Sequence, residues 1–217
     1  MEALFAFAAA LLALRLTGAL ASRYRARRAP HLAAWSASLF AYSLASAALA
    51  WGAAAGWDDR TFRVYYLAGG LLTAPLLGAG SLLLANRSWA APVALVYVGL
   101  AVGVAVAVPL EEHVTGTTIP ESQAHLDFFP ARLLAVLGNT VGTLAVVVIA
   151  LATIRRRPLG NALILAGVTL AASGSAVAGL GAAETAVFIA AAVVFLYAGF
   201  LVPNRTRKPH AAPDQTV

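Results

Sequence analysis

Six side chains carry most of the chemistry that this sequence offers: Arg63, Tyr66, Arg132, Asn139, Glu184 and Tyr42. Two guanidiniums, two phenols, an amide and one carboxylate are groups that bind and pair rather than groups that attack. Guanidinium is permanently cationic and presents a planar fork of donors to carboxylate or phosphate. Tyrosine offers an apolar ring with a polar tip. Gathered around one space, these groups would hold a small anionic or amphipathic molecule. Their spacing has a pattern. Arg63 is followed six residues later by Gly69 and then Gly70, and Arg132 is followed six residues later by Gly138 and then Asn139. The two stretches are offset by 69 residues and read as a faint parallel repeat, of the kind some transporters carry.

Other chemistries lack their residues. The chain has no cysteine, which removes thiolate catalysis, Cys-ligated zinc and iron–sulfur clusters. Its only lysine is Lys208, so no Schiff base with retinal can form inside an apolar segment. His31, His113, His125 and His210 all fall at the edges of apolar runs or outside them, which argues against haem held between helices. Glu111, Glu112, His113, Glu121, His125 and Asp127 crowd the connector 110–129, but their spacing matches no metal motif such as HExxH. No metal, cofactor or enzymatic activity is expected. A net charge of +6 would suit nucleic acid, yet the arginines sit in short connectors beside apolar runs, where they set topology and meet anionic lipid. No nucleic-acid partner is expected.

The elements that position these groups are plain in the composition. The chain of 217 residues is 61% hydrophobic and 11% charged, too little polar surface for a soluble domain. A bilayer crossing needs about 20 apolar residues in a helix. Seven runs qualify: 3–21, 32–56, 63–85, 89–109, 130–153, 159–181 and 184–202. The expected fold is therefore all-α, a polytopic membrane protein with a single seven-helix bundle over 1–203 and a basic, disordered cytoplasmic tail over 204–217. Arg23, Arg25, Arg27, Arg28, Arg87 and Arg155 to Arg157 fall in connectors of one side. Asp58, Asp59 and the acids of 110–129 fall on the other. The positive-inside bias then puts the N-terminus out and the C-terminus in, in the inner (plasma) membrane. The first run opens MEALFAF, with an acid where a signal peptide needs positive charge, and is expected to stay as an anchor.

The stretches FRVYYLAGGLLTAPLLGAGSLLL and PARLLAVLGNTVGTL resemble a set of small polytopic membrane proteins from high-GC bacteria. The resemblance implies a bundle of seven helices and brings no activity or site residues with it.

Within the runs, polar residues share faces. Arg63, Tyr66, Gly70, Thr73, Ala74 and Ser81 lie on one side of the third run, and Arg132, Asn139, Thr143 and Ala150 on one side of the fifth. Ser38, Tyr42, Ser43 and Ser46 cover half of the second, and Glu184 heads a face with Phe188 and Phe195 in the seventh. Tyr65 points away and reads as an aromatic-belt residue at the headgroup level. Pro75 is expected to free the carbonyl of Leu71, with Thr73 helping to satisfy the loosened turn. Two readings follow. In one, Arg63, Tyr66, Arg132, Asn139, Glu184 and Tyr42 line an outward-facing vestibule that binds or moves a small anionic or amphipathic molecule. In the other, the stripes only pack helices, and the protein is a structural or signalling subunit that works through a protein partner. A cavity inside the bundle favours the first, and fully packed polar faces favour the second.

Overall fold

An apolar segment in a bilayer must satisfy its own backbone, which it does as a helix. The computed structural model describes residues 2–178 and 185–201. Among these residues there are helices and no strand. The main elements are α1 (Glu2–Arg27), α2 (Pro30–Ala55), α3 (Asp59–Leu84), α4 (Ala90–Ala107), α5 (Phe128–Ala152), α6 (Pro158–Ala178) and α7 (Thr185–Leu201). Five of them, α1 to α5, are long and apolar enough to cross a membrane, and α6 is apolar over Pro158–Ala171. The protein is thus a helical membrane-embedded protein. The tail 204–217 lies outside the described residues.

Helix ends differ from the apolar runs where capping, not hydropathy, decides them. α1 continues through its arginines to Arg27, because arginine is a good helix former once a helix exists. Proline at the first position of α2 presets the dihedral and needs no N–H there. α3 starts four residues before the apolar run. The Asp58 carboxylate accepts the Thr61 N–H at 2.7 Å and caps the first turn.

α1, α2, α3, α5, α6 and α7 contact one another in a ring. Their shared core is Leu16 and Leu20 of α1, Trp35 and Leu39 of α2, Leu77 of α3, Val146 of α5, Ile164 of α6 and Leu196 of α7. This cluster lies toward the arginine-rich end. A second cluster fills the acidic end, where Leu49, Trp57, Phe62 and Ala131 meet Val114 and Leu126 of the long connector. α4 stands outside the ring. Only Ala90 and Ala101 of it are buried, while Leu95, Val96, Leu100 and Val106 are more than half exposed and lie against acyl chains in a bilayer.

The serine face of α2 points inward. Ser43 donates to the Ala10 carbonyl at 3.0 Å, Ser36 to Thr17 at 3.2 Å and Ser38 to Thr73 at 2.6 Å. Small residues with hydroxyls let α1, α2 and α3 approach closely, as membrane helices do when no hydrophobic force draws them together.

Candidate functional site

α3 is not a regular helix. Residues Tyr66–Leu72 form a π-helical stretch between two α-helical parts. Such stretches cost hydrogen bonds and concentrate at functional sites. In the π spacing the carbonyl of Gly70 would look to the amide of residue 75, and Pro75 has none. The Asn139 side chain of α5 donates to this carbonyl, with Nδ2 at 2.8 Å from the Gly70 oxygen. Nearby, the Thr73 hydroxyl donates to Ala68 at 2.8 Å, and the Thr73 carbonyl accepts Ser38. Three helices therefore satisfy one irregular turn. Thr73, expected to help the turn that Pro75 loosens, donates to Ala68 within that turn, and α5 adds a donor at Gly70.

Asn139 and Gly70 are also the counterparts in the faint repeat, 69 residues apart, and here they are bonded to each other. Below them the backbones touch. A Cβ built on Gly78 would stand 2.5 Å from the Gly142 oxygen, and one on Gly142 would overlap the Ala74 carbonyl. Much of the predicted polar stripe of α3 and α5 is thus a helix crossing.

Arg63 leaves that crossing. Its Nη1 donates to the Ala105 carbonyl at 2.7 Å, one of the last four carbonyls of α4, which lack helical partners. It ties the peripheral helix to α3. Tyr97 of α4 makes a second tie, donating to the Leu134 carbonyl of α5 at 3.2 Å.

Tyr66 and Arg132 both lie at the acidic end, on α3 and α5, but with different partners. The Tyr66 ring stacks on Phe62 with centroids 6.0 Å apart. Its hydroxyl is buried and has no hydrogen-bond partner. An unmet buried donor is uncommon enough to need a cause. Arg132 sits over the Phe128 ring at 5.7 Å. Neither it nor Arg63 has a carboxylate within ion-pair distance among the described residues. Tyr66 and Arg63 line a cavity of about 10 Å³ with Phe62, Val104, Ala105 and Ala131. That is room for one water at most.

The cavity is roofed by the long connector. Leu110 and Leu126 form part of its lining, and Val114 is buried beside them. The connector closes on itself, with the Glu111 amide donating to the His125 carbonyl at 3.1 Å, and contains one helical turn, Ser122–His125. It is fastened to the start of α3. Asp59 accepts the Val114 amide at 2.8 Å on one oxygen and pairs with His113 Nδ1 at 2.7 Å on the other. The Trp57 amide donates to Gly116 at 2.7 Å. The hydrogen bond to Asp127 raises the carboxyl of Glu111 above its ordinary range, and the charge of Asp127 adds to that. The Thr61 amide and then its hydroxyl hold the Asp58 carboxyl low.

The other candidates lie elsewhere. Tyr42 is buried in the seam of α1, α2 and α7 against Ala9, Ala13 and Val193 and is not among the residues around this cavity. Glu184 lies outside the described residues. Tyr65, expected at the lipid interface, turns inward and meets Trp57 edge-on at 5.4 Å. Sequence reasoning missed Trp57 and Tyr97. Their aromatic type was visible, but nothing in the spacing pairs Trp57 with Gly52 or Tyr97 with Gly138, the glycines that admit them.

At the arginine-rich end a cavity of about 20 Å³ is lined by Ser81, Thr153, Arg157 and Asn161. Asn161 donates to the Ala150 carbonyl at 3.1 Å and to Thr153 at 2.8 Å, closing the end of α5. Arg157 reaches the Gly199 carbonyl of α7 at 3.3 Å. Among the described residues no group of three or more His, Asp or Glu side chains could hold a metal ion. No protein-family model, curated protein or solved structure matches the chain. The site has to be read from its own chemistry.

Proposed function

We propose that this chain is a non-enzymatic inner-membrane protein of seven crossings, N-terminus out, that binds or moves a small anionic or amphipathic molecule. The molecule occupies a chamber at the acidic end, between α3, α4 and α5, which is closed in this structure. The observation that carries the proposal is the buried Tyr66 hydroxyl, which has no hydrogen-bond partner and belongs to the lining of a cavity roofed by connector residues. A buried donor without a partner suits an acceptor that arrives from outside. The π stretch beside it gives α3 a place to change register. Arg132 and Tyr66 take the ligand, Arg63 holds the α4 wall, and Asn139 stabilises the π turn. Glu184 stays a candidate counter-charge, and Tyr42 is assigned to packing.

Native mass spectrometry in mild detergent tests this reading. A bound mass present in the wild type and lost in Arg132→Ala supports it. The Arg63→Ala variant should lose the mass as well, with a loosened α4 as the cause. Absence of any bound mass, with both variants less heat-stable, moves the assignment to a second reading.

That second reading is a structural or signalling subunit acting through a protein partner. It is favoured by the inward hydrogen bonds of Ser38, Ser43 and Asn139, which spend the polar faces on helix packing.

A further inference from the structure

Residues 110–127 cover the chamber as a separate unit. The connector pairs its own ends at Glu111 and His125, carries one helical turn, and buries Val114 and Leu126 under itself. Its polar attachments to the helices are few and gathered at one place. Asp59 grips the Val114 amide and the His113 ring with its two oxygens, and the Trp57 amide holds Gly116. The grip stands at the water-facing edge: the His113 side chain is 91% exposed and that of Asp59 is 35% exposed. Contacts of this kind are the first to open when a protein unfolds locally. Beneath lie Ala131, fully buried, and the Tyr66 hydroxyl.

We infer that residues 110–127 form a lid over the chamber and that Asp59, through Val114 and His113, is its latch. The inference rests on the chamber reading above. It adds the route, with the ligand entering and leaving where the lid lifts from the start of α3. Asp59 and His113 are positioning residues and do not touch the ligand.

The chain has no cysteine, so a single introduced thiol reports on its own site without background. Ala131→Cys places that thiol at the chamber wall. The protein in mild detergent, where both ends of the bundle meet water, is treated with a maleimide, and the labelling rate is measured with the latch whole, with Asp59→Ala and with His113→Ala. Thr117→Cys, on the exposed connector, gives the rate of an open site. Ala150→Cys, buried at the far end of α5, reports unfolding of the bundle. Asp59→Ala should raise the Ala131→Cys rate by about tenfold or more, as loss of a charge-assisted hydrogen bond predicts. His113→Ala, which removes only an exposed pairing, should raise it by roughly a few-fold. Ala150→Cys should stay unlabelled throughout. Equal Ala131→Cys rates in all three backgrounds overturn the lid. So does labelling that rises only together with Ala150→Cys. A bound mass without latch-dependent labelling would sink the lid and leave the chamber standing. Latch-dependent labelling without a bound mass would do the reverse.

Discussion

Two pairs of glycines at the same spacing have opposite surroundings. In α5, Gly138 and Gly142 are four residues apart and both are covered: Gly138 by Tyr97 and Pro75, Gly142 by the backbone of α3. In α4, Gly99 and Gly103 are also four apart, and a Cβ on either would meet nothing within 4 Å. The sequence pattern G-x-x-x-G is the same in GNTVG and GLAVG. The difference lies in the neighbours. α5 crosses an irregular helix that needs a donor from outside, and Asn139, next to Gly138, provides it. α4 is held at one side by Arg63 and Tyr97, and its glycines turn to the lipid side. A small-residue spacing thus marks where helices can meet, and a polar residue beside it marks where they do.

Substitutions at the two pairs should separate most widely. Gly142→Val drives a branched side chain into the Ala74 carbonyl and should destabilise by about 3 kcal/mol or more. Thermal unfolding in detergent measures it, and a change under about 1 kcal/mol would mean that α3 and α5 are not in backbone contact. Asn139→Ala comes next, at about 1 kcal/mol, the size of an interhelical hydrogen bond in a membrane. Its signature is faster amide exchange confined to the π stretch 66–72. Exchange spread over the whole bundle would contradict the local role.

Gly99→Ala should be neutral or stabilising by up to about 1 kcal/mol, since alanine favours helix and nothing is displaced. A strong loss of stability there would show that α4 packs against something on its open side, which would bring the two glycine pairs back together.

The smallest effect concerns the roof. The Glu111 carboxyl is held above its ordinary range, chiefly by its hydrogen bond to Asp127. The bonded form is the protonated one. Its contribution is therefore present at pH below the unfolded value and is lost as pH rises through the raised folded value. Asp58 runs the other way. Its contribution is present above the unfolded value and is lost as pH falls through its lowered folded one. Amide protection in the connector, taken relative to the intrinsic exchange rate at each pH, should consequently fall as Glu111 deprotonates above pH 4, and Glu111→Gln should flatten that fall. An unchanged pH profile in the variant would separate Glu111 from the roof.

Most of the helix positions were legible because hydropathy alone dictates them in a bilayer. The polar faces were legible too, since a stripe such as Arg132, Asn139 and Thr143 follows from helical period. Their use was not. That Asn139 serves Gly70 depends on a register change in α3 that no period shows. The reach of Arg63 to Ala105 depends on where α4 settles, and α4, apolar all round, carries no directional signal. Docking of the connector on Asp59 joins residues 54 and 55 positions apart in the chain, which one sequence cannot pair.

Tyr66→Phe puts the chamber to its most direct test, because it removes one hydroxyl and leaves the ring on Phe62. Retention of the bound mass in native spectra is compared with wild type, alongside heat stability. The account predicts a lost or weakened bound mass with stability unchanged or slightly raised, since an unmet buried hydroxyl contributes nothing to the empty fold. An undiminished bound mass together with a less stable protein would show that the hydroxyl serves the fold, and would contradict the chamber.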